Sequence, residues 1–255
     1  MRLAISSWTV HGELSNGLDL LDFPNAAAEH GVHTLEICHF HLPSTEDTYL
    51  SQLSSAINDA GCELYSILID DGDIASADET ERAESVAFNK QWIEVAATLG
   101  AERVRVDAGL QDPIPEAVNH SAASMAEIAA FADSQGIIVS TENWRTTSRE
   151  PGPLLEIMQK SQAPLGLCVD FGNAEYTKTA NKYETMSMLL PQATSLHVKA
   201  RYGDDGSMDT TEFIKCMDMV ESAGFDGPIT LIYNDQDNEW AHVDELRDVV
   251  LPYVH

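Results

Sequence analysis

The sequence predicts a (β/α)8 barrel, and three observations carry that prediction. Short β-rich runs alternate with helical stretches eight times along the chain. The joints between them are short, and several hold a glycine between a helix end and the next strand. The 255-residue length is that of one closed barrel of eight such units.

The strand candidates, in order, are RLAISS (2–7), HTLEIC (33–38), CELYSILI (62–69), ERVRVD (102–107), IIVSTE (137–142), LGLCVDF (165–171), SLHVKA (195–200) and ITLIYN (229–234). Each is rich in β-branched or aromatic residues and bounded by turn formers. Helical stretches are expected near 20–30, 46–60, 79–99, 115–135, 151–162, 182–192, 209–223 and 239–250. Gly31, Gly61, Gly100 and Gly136 fall where a helix must stop and a strand begin, which suits a left-handed C-cap. Strand–helix–strand units with short joints imply parallel strands and right-handed crossovers. The competing arrangement is an open doubly wound sheet, but no GxGxxG follows the first strand. No linker interrupts the pattern, so residues 1–255 read as one barrel domain.

Composition narrows the function. Asp plus Glu number 42 against 14 Lys plus Arg, a net charge of −28. Such a surface repels nucleic-acid phosphates, whose binding needs basic contacts. No apolar run approaches the roughly 20 residues of a membrane span, and MRLAISSWTVHGELS has no long apolar signal core. A cytoplasmic protein with neither nucleic-acid nor membrane partners is expected. Only six lysines are present and the acids are spread along the chain, which points to a high-salt interior. Cys38, Cys62, Cys168 and Cys216 are scattered without a CxxC and read as buried, reduced thiols.

In a barrel strand, alternate residues face the interior and the helices. Directing the large apolar residues outward puts Glu36, Arg103, Arg105, Asp107, Ser140, Glu142, Gly166, Cys168, Asp170, Ser195, His197 and Lys199 inside. On the last strand Thr230, Ile232 and Asn234 face in. The polar members gather at the C-terminal strand ends, the face that carries active sites in barrels of this type. Glu142, Asp170 and His197 offer two carboxylates and an imidazole on adjacent strands, an O,O,N set suited to a divalent ion. Spacing alone leaves an alternative open: buried ion pairs joining Glu142 or Glu36 to Arg105, and Asp170 to Lys199.

Five segments resemble the sugar phosphate isomerase/epimerase family, the xylose isomerase-like barrels grouped with AP endonuclease family 2. They are STENW (140–144), EPGPLLEIM (150–158), LGLCVDFGN (165–173), SLHVKAR (195–201) and GFDGPITLIY (224–233). The resemblance runs over most of the chain. It implies metal ligands at Glu142, Asp170 and His197, with Mn²⁺ the first choice and Mg²⁺, Co²⁺ or Zn²⁺ the others. It also implies proton transfer beside the carbonyl of a sugar or polyol, with Glu142 as base. Two departures stand out. The family's fourth ligand, a strand-eight glutamate, falls on Ile232, and Asn173 stands where many members carry histidine. With Ile232 in place, two-base epimerisation lacks its second acid/base. That leaves a one-sided isomerisation, a one-base dehydratase or lyase reaction on a keto-sugar, a substitute group such as Asn234, Asp235 or a histidine, or a non-catalytic carbohydrate-binding barrel.

Other residues complete the expected site. Lys199 polarises a substrate oxygen or pairs with Asp170 or Glu142. Glu36 holds a sugar hydroxyl or orients Arg105, and Trp8 stacks on a sugar face or packs. Arg201 meets an anionic group, although no glycine-rich phosphate loop is evident. Trp144 stacks on substrate or, in a homo-oligomer, sits at a subunit contact. His39 and His41, two apart on the loop after strand two, either ligate or are exposed loop residues, the second being the expectation. His11, His30, His33, His120, His242 and His255 read as structural or exposed.

If the charge is an adaptation to salt, thermal stability should climb as KCl rises from 0.1 M towards 1 M, where the screening length shrinks to roughly 3 Å. A melting midpoint that stays flat or falls over that range would remove the idea.

Overall fold

The computed structural model describes residues 1–254; His255 lies outside the described residues. Eight parallel strands close into a barrel in sequence order: β1 (Arg2–Ser6), β2 (Thr34–Cys38), β3 (Glu63–Ile69), β4 (Arg103–Val106), β5 (Ile138–Glu142), β6 (Gly166–Asp170), β7 (Ser195–Lys199) and β8 (Pro228–Ile232). Closure comes from β1 against β8, with Ile5 opposite Leu231. The Thr9 hydroxyl clips the same seam by donating to the Leu231 carbonyl at 2.8 Å.

Every expected strand is present. Several are shorter at their ends than the apolar pattern suggests, so Asp107 and Asn234 sit just beyond β4 and β8. The eight expected helices are α2 (Phe23–Glu29), α3 (Asp47–Asp59), α4 (Glu79–Leu99), α5 (Pro115–Ser134), α7 (Pro151–Ser161), α8 (Lys182–Leu189), α9 (Thr210–Ser222) and α10 (Glu239–Val250). Two short helices were not anticipated, α1 (His11–Ser15) and α6 (Arg145–Ser148). Both follow a strand end, and neither is long enough to show helical periodicity. No helix among the described residues is long and apolar enough to cross a membrane.

The alternation works as expected. Leu167, Val169, Leu196, Val198, Leu231 and Tyr233 join the core between strands and helices, while Cys168, His197 and Ile232 are buried on the other side of the sheet, outside that cluster. On β3 the period breaks once. The register with β2 shifts between Leu35 and Glu36, so that Leu64 and Ser66 are both paired and Tyr65 is extra. This bulge resets the alternation, leaving Ile67 and Ile69 in the outer core and turning Leu68 and Asp70 towards the pocket. Lower in the barrel, Arg103 lies over the Tyr65 ring at 4.6 Å. Gly166 makes room for it: a Cβ there would come within 2.7 Å of Thr194 Oγ1 and 3.3 Å of an Arg103 nitrogen.

Gly31, Gly61, Gly100 and Gly136 all have positive φ, between 65° and 75°. At Gly100, the C-cap of α4 (φ 75°), a Cβ would meet nothing within 4 Å. Gly100→Ala should therefore cost about 1 kcal/mol through backbone strain alone, read as a lower denaturant midpoint with an unchanged slope. A larger loss or an altered slope would mean that the joint does more than cap.

Candidate active site

The C-terminal strand ends open into a cavity of about 570 Å³. Each wall is set by a local device. At the end of β5 the Asn143 side chain bridges to β6, donating to the Asp170 carbonyl at 3.0 Å and accepting from the Asp170 amide at 2.7 Å. The strands carrying Glu142 and Asp170 are thereby held in step. Beyond β6, Asn173 folds back: its amide donates to Asp170 Oδ1 at 2.7 Å and its side-chain nitrogen to Glu142 Oε1 at 2.9 Å. Lys199 lies across Gly172, where a Cβ would come within 2.5 Å of its Cδ.

His197 is the hub. Its Nε2 lies 2.9 Å from Glu36 Oε2. Its Nδ1 lies 3.5 Å from Glu142 Oε1 and 3.9 Å from Asp170 Oδ2. Lys199 Nζ stands 3.6 Å from Asp170 Oδ2. Arg105 occupies the opposite side, with Nη1 on Asp70 and, at 2.6 Å, on Asp107. Its Nε is 3.1 Å from Glu142 Oε2, an ion pair whose angle is too poor for a hydrogen bond.

The ion pairs Glu142–Arg105 and Asp170–Lys199 exist, and His197 Nδ1 faces both Glu142 and Asp170. Glu36 is tied to His197, not to Arg105. Its place under the imidazole is that of the outer carboxylate that commonly orients a metal-bound histidine.

The electrostatics follow from burial and pairing. Burial alone would raise Glu142, but His197 and Arg105 pull it down to about 2. Burial alone would lower His197, yet Cys168, Glu142 and Glu36 carry it well above the usual imidazole value. Burial pushes Asp107 up to about 7, with Arg105 opposing, and pushes the Cys168 thiol up to about 11.

Trp8, Arg105, Glu142, Asp170, Asn173, His197, Lys199 and Ile232 all line the cavity. Arg201 does not; it pairs with Glu175 at 2.7 Å beside an adjoining cleft. Several further lining residues were not anticipated, among them Asp70, Arg145 and Tyr176. Asp70 could have been found by carrying the outward alternation of Ile67 and Ile69 one residue further. Arg145 could not, because its place depends on a left-handed backbone (φ 59°) at the start of α6 that lets Nε reach Asp107 at 3.1 Å. Neither loop histidine is exposed as expected: His39 is buried and accepts from the Asp70 amide, and His41 is tied down on both nitrogens. Its Nδ1 is 2.7 Å from Ser7 Oγ and its Nε2 2.8 Å from His11 Nδ1.

A closed parallel barrel with its buried polar cluster at the C-terminal strand ends is a TIM-barrel protein whose candidate site occupies the face that carries chemistry in such folds. More particularly, the chain belongs to the xylose isomerase-like TIM barrel family, whose model matches residues 24–249. Solved structures agree on the fold. An L-ribulose 3-epimerase superposes with a TM-score of 0.78 at 16% identity, covering 99% of this chain and 94% of that one. A D-tagatose 3-epimerase-like protein gives 0.77 at 20%, covering 99% and 98%. A probable 3-DHS dehydratase from Bacillus anthracis gives 0.77 at 15%, covering 98% and 99%. No curated protein matches the chain.

His41 yields a pH prediction. Burial, helped by His11, lowers it to about 4, below its ordinary 6.5. The unfolded chain therefore takes up this proton first, and stability is lost as pH falls from about 6.5 towards 4. In denaturant titrations His41→Gln should lose less stability than the parent over that window. Equal losses in both chains would show that His41 keeps an ordinary pKa.

Proposed function

We propose that the protein is a sugar or polyol isomerase or epimerase-type enzyme that moves a proton beside a carbonyl, with Glu142 as its base and a divalent ion at the Glu142–Asp170–His197 cluster. The observation that carries this reading is the environment of Glu142: a buried carboxylate, kept ionised by His197 and Arg105, facing a cavity large enough for a sugar. An ionised carboxylate is the form a base needs.

The donor set fits an ion. Octahedral coordination at 2.0–2.1 Å places neighbouring donors about 3 Å apart and opposite ones about 4.2 Å apart. The Nδ1 distances to Glu142 and Asp170, 3.5 and 3.9 Å, lie between those two values, so modest side-chain movement would bring both onto one ion. Glu36 on Nε2 leaves Nδ1 as the ligating nitrogen once its proton is displaced. Mn²⁺ suits two carboxylates and an imidazole. When bound, the ion anchors substrate oxygens and offsets the negative charge that develops beside the carbonyl.

The chain's own residues do the rest. Glu142 accepts the proton from carbon. Arg105 holds Glu142 Oε2 and keeps that carboxylate from swinging away. Lys199 points its ammonium at the same pocket and can donate to a substrate oxygen. Trp8, tied through Nε1 to Asn234 Oδ1 at 2.9 Å, presents a fixed indole face for sugar C–H groups.

Ile232 lines the same pocket. An isoleucine neither ligates nor carries a proton, so proton removal and return both fall to Glu142, on one face of the substrate. A one-sided isomerisation is the first choice of reaction. Loss of water from a keto-sugar is the second, with Lys199 protonating the leaving hydroxyl.

A panel of keto-sugars in D2O with added Mn²⁺ tests this. Deuterium should enter carbon beside the carbonyl, and Glu142→Gln should abolish that exchange. Ile232→Glu should tighten Mn²⁺ binding, read by equilibrium dialysis, because a carboxylate would then point into the cluster. A parent protein that retains no metal and exchanges no sugar would instead be a non-catalytic carbohydrate-binding barrel.

A further inference from the structure

The donors that cluster most tightly are not the three expected from the strand pattern. Ligand atoms of Glu142, Cys168 and His197 all lie within 4.8 Å of one another, and all three residues are buried. Among the described residues this is the one such group. Asp170 is absent from it, although Oδ2 comes within 3.9 Å of His197 Nδ1. Its carboxylate is held elsewhere: Oδ1 accepts the Asn173 amide and Oδ2 faces Lys199. Cys168 is placed by register. It lies directly opposite Glu142 across the β5–β6 ladder and opposite Ser195 across β6–β7. Its side chain points into the barrel one layer below Asp170.

We propose that the ion of this site is held by a mixed oxygen, sulfur and nitrogen set, with Cys168 supplying a thiolate in place of the carboxylate that Ile232 lacks. This rests on the reading of the cluster as a metal site and changes which ion it selects. On binding, the Cys168 thiol releases its proton to solvent and a metal–sulfur bond forms. The imidazole ligates through Nδ1, with Glu36 still on Nε2. Asp170, held by Asn173 and Lys199, would orient the site without ligating, so the ligand set proposed above changes at this residue as well as in its ion. A thiolate beside an imidazole and one carboxylate suits Zn²⁺ or Co²⁺, whereas Mn²⁺ and Mg²⁺ favour oxygen donors. The apolar wall agrees with this, because a four-coordinate ion needs fewer donors than an octahedral one.

Cobalt provides a readout that does not depend on turnover. The full chain, loaded with Co²⁺ and desalted, should show a thiolate-to-cobalt charge-transfer band in the near ultraviolet and intense visible bands of a four-coordinate ion. Cys168→Ser should lose the charge-transfer band, while Cys38→Ser keeps it. In competition, Zn²⁺ should displace Co²⁺ from the parent and Mn²⁺ should not. Cobalt retained by the parent without the band would overturn the thiolate and leave the proposed chemistry standing on Glu142, Asp170 and His197. The band surviving in Cys168→Ser would also overturn it. No cobalt retained by the parent would overturn both the thiolate and the metal. Circular dichroism of each variant guards against a misfolded chain.

Discussion

A buried guanidinium holds the upper barrel together. Arg105 reaches Asp70 after β3, Asp107 after β4 and Glu142 at the end of β5. Two buried carboxylates and a partly buried third would repel one another and lose hydration without it. Arg145, brought in by its left-handed backbone, takes the second oxygen of Asp107. Lys199 and His197 do the same service on the other side of the pocket for Asp170, Glu142 and Glu36. Acids and bases thus alternate around the cavity. This balance lets a chain of net charge −28 keep a cluster of acids out of water at its centre.

The balance also shapes the chemistry. Glu142 is shared among Arg105, Asn173 and His197, and each contact fixes one direction of its carboxylate. Its carboxylate is therefore oriented before any ligand arrives, the preorganisation that the proposed role as base requires. Ile232 breaks the symmetry of the pocket by making one wall apolar. A substrate in this cavity meets charge on the β4–β7 side and hydrocarbon on β8. Backbone rigidity supports the arrangement: Asn143 locks β5 to β6, and the Thr9 hydroxyl locks β1 to β8.

The amino-acid sequence by itself determined the eight strands, their order and the inward direction of Glu142, Asp170, His197 and Ile232. It could do so because the signals are local: alternation with period two, helices between strands, and glycines at the joints. The site that alternation describes is a set of candidates without distances. Whether Glu36 serves Arg105 or His197 turned on the barrel's shear and on the bulge at Tyr65, neither of which leaves a mark on a linear pattern. Arg145 depends on a backbone angle that its residue type disfavours. The pairing of Cys168 with Glu142 is likewise a matter of register between strands. Only the tertiary structure decided these contacts, because they join residues tens of positions apart whose meeting is set by the closure of the whole barrel.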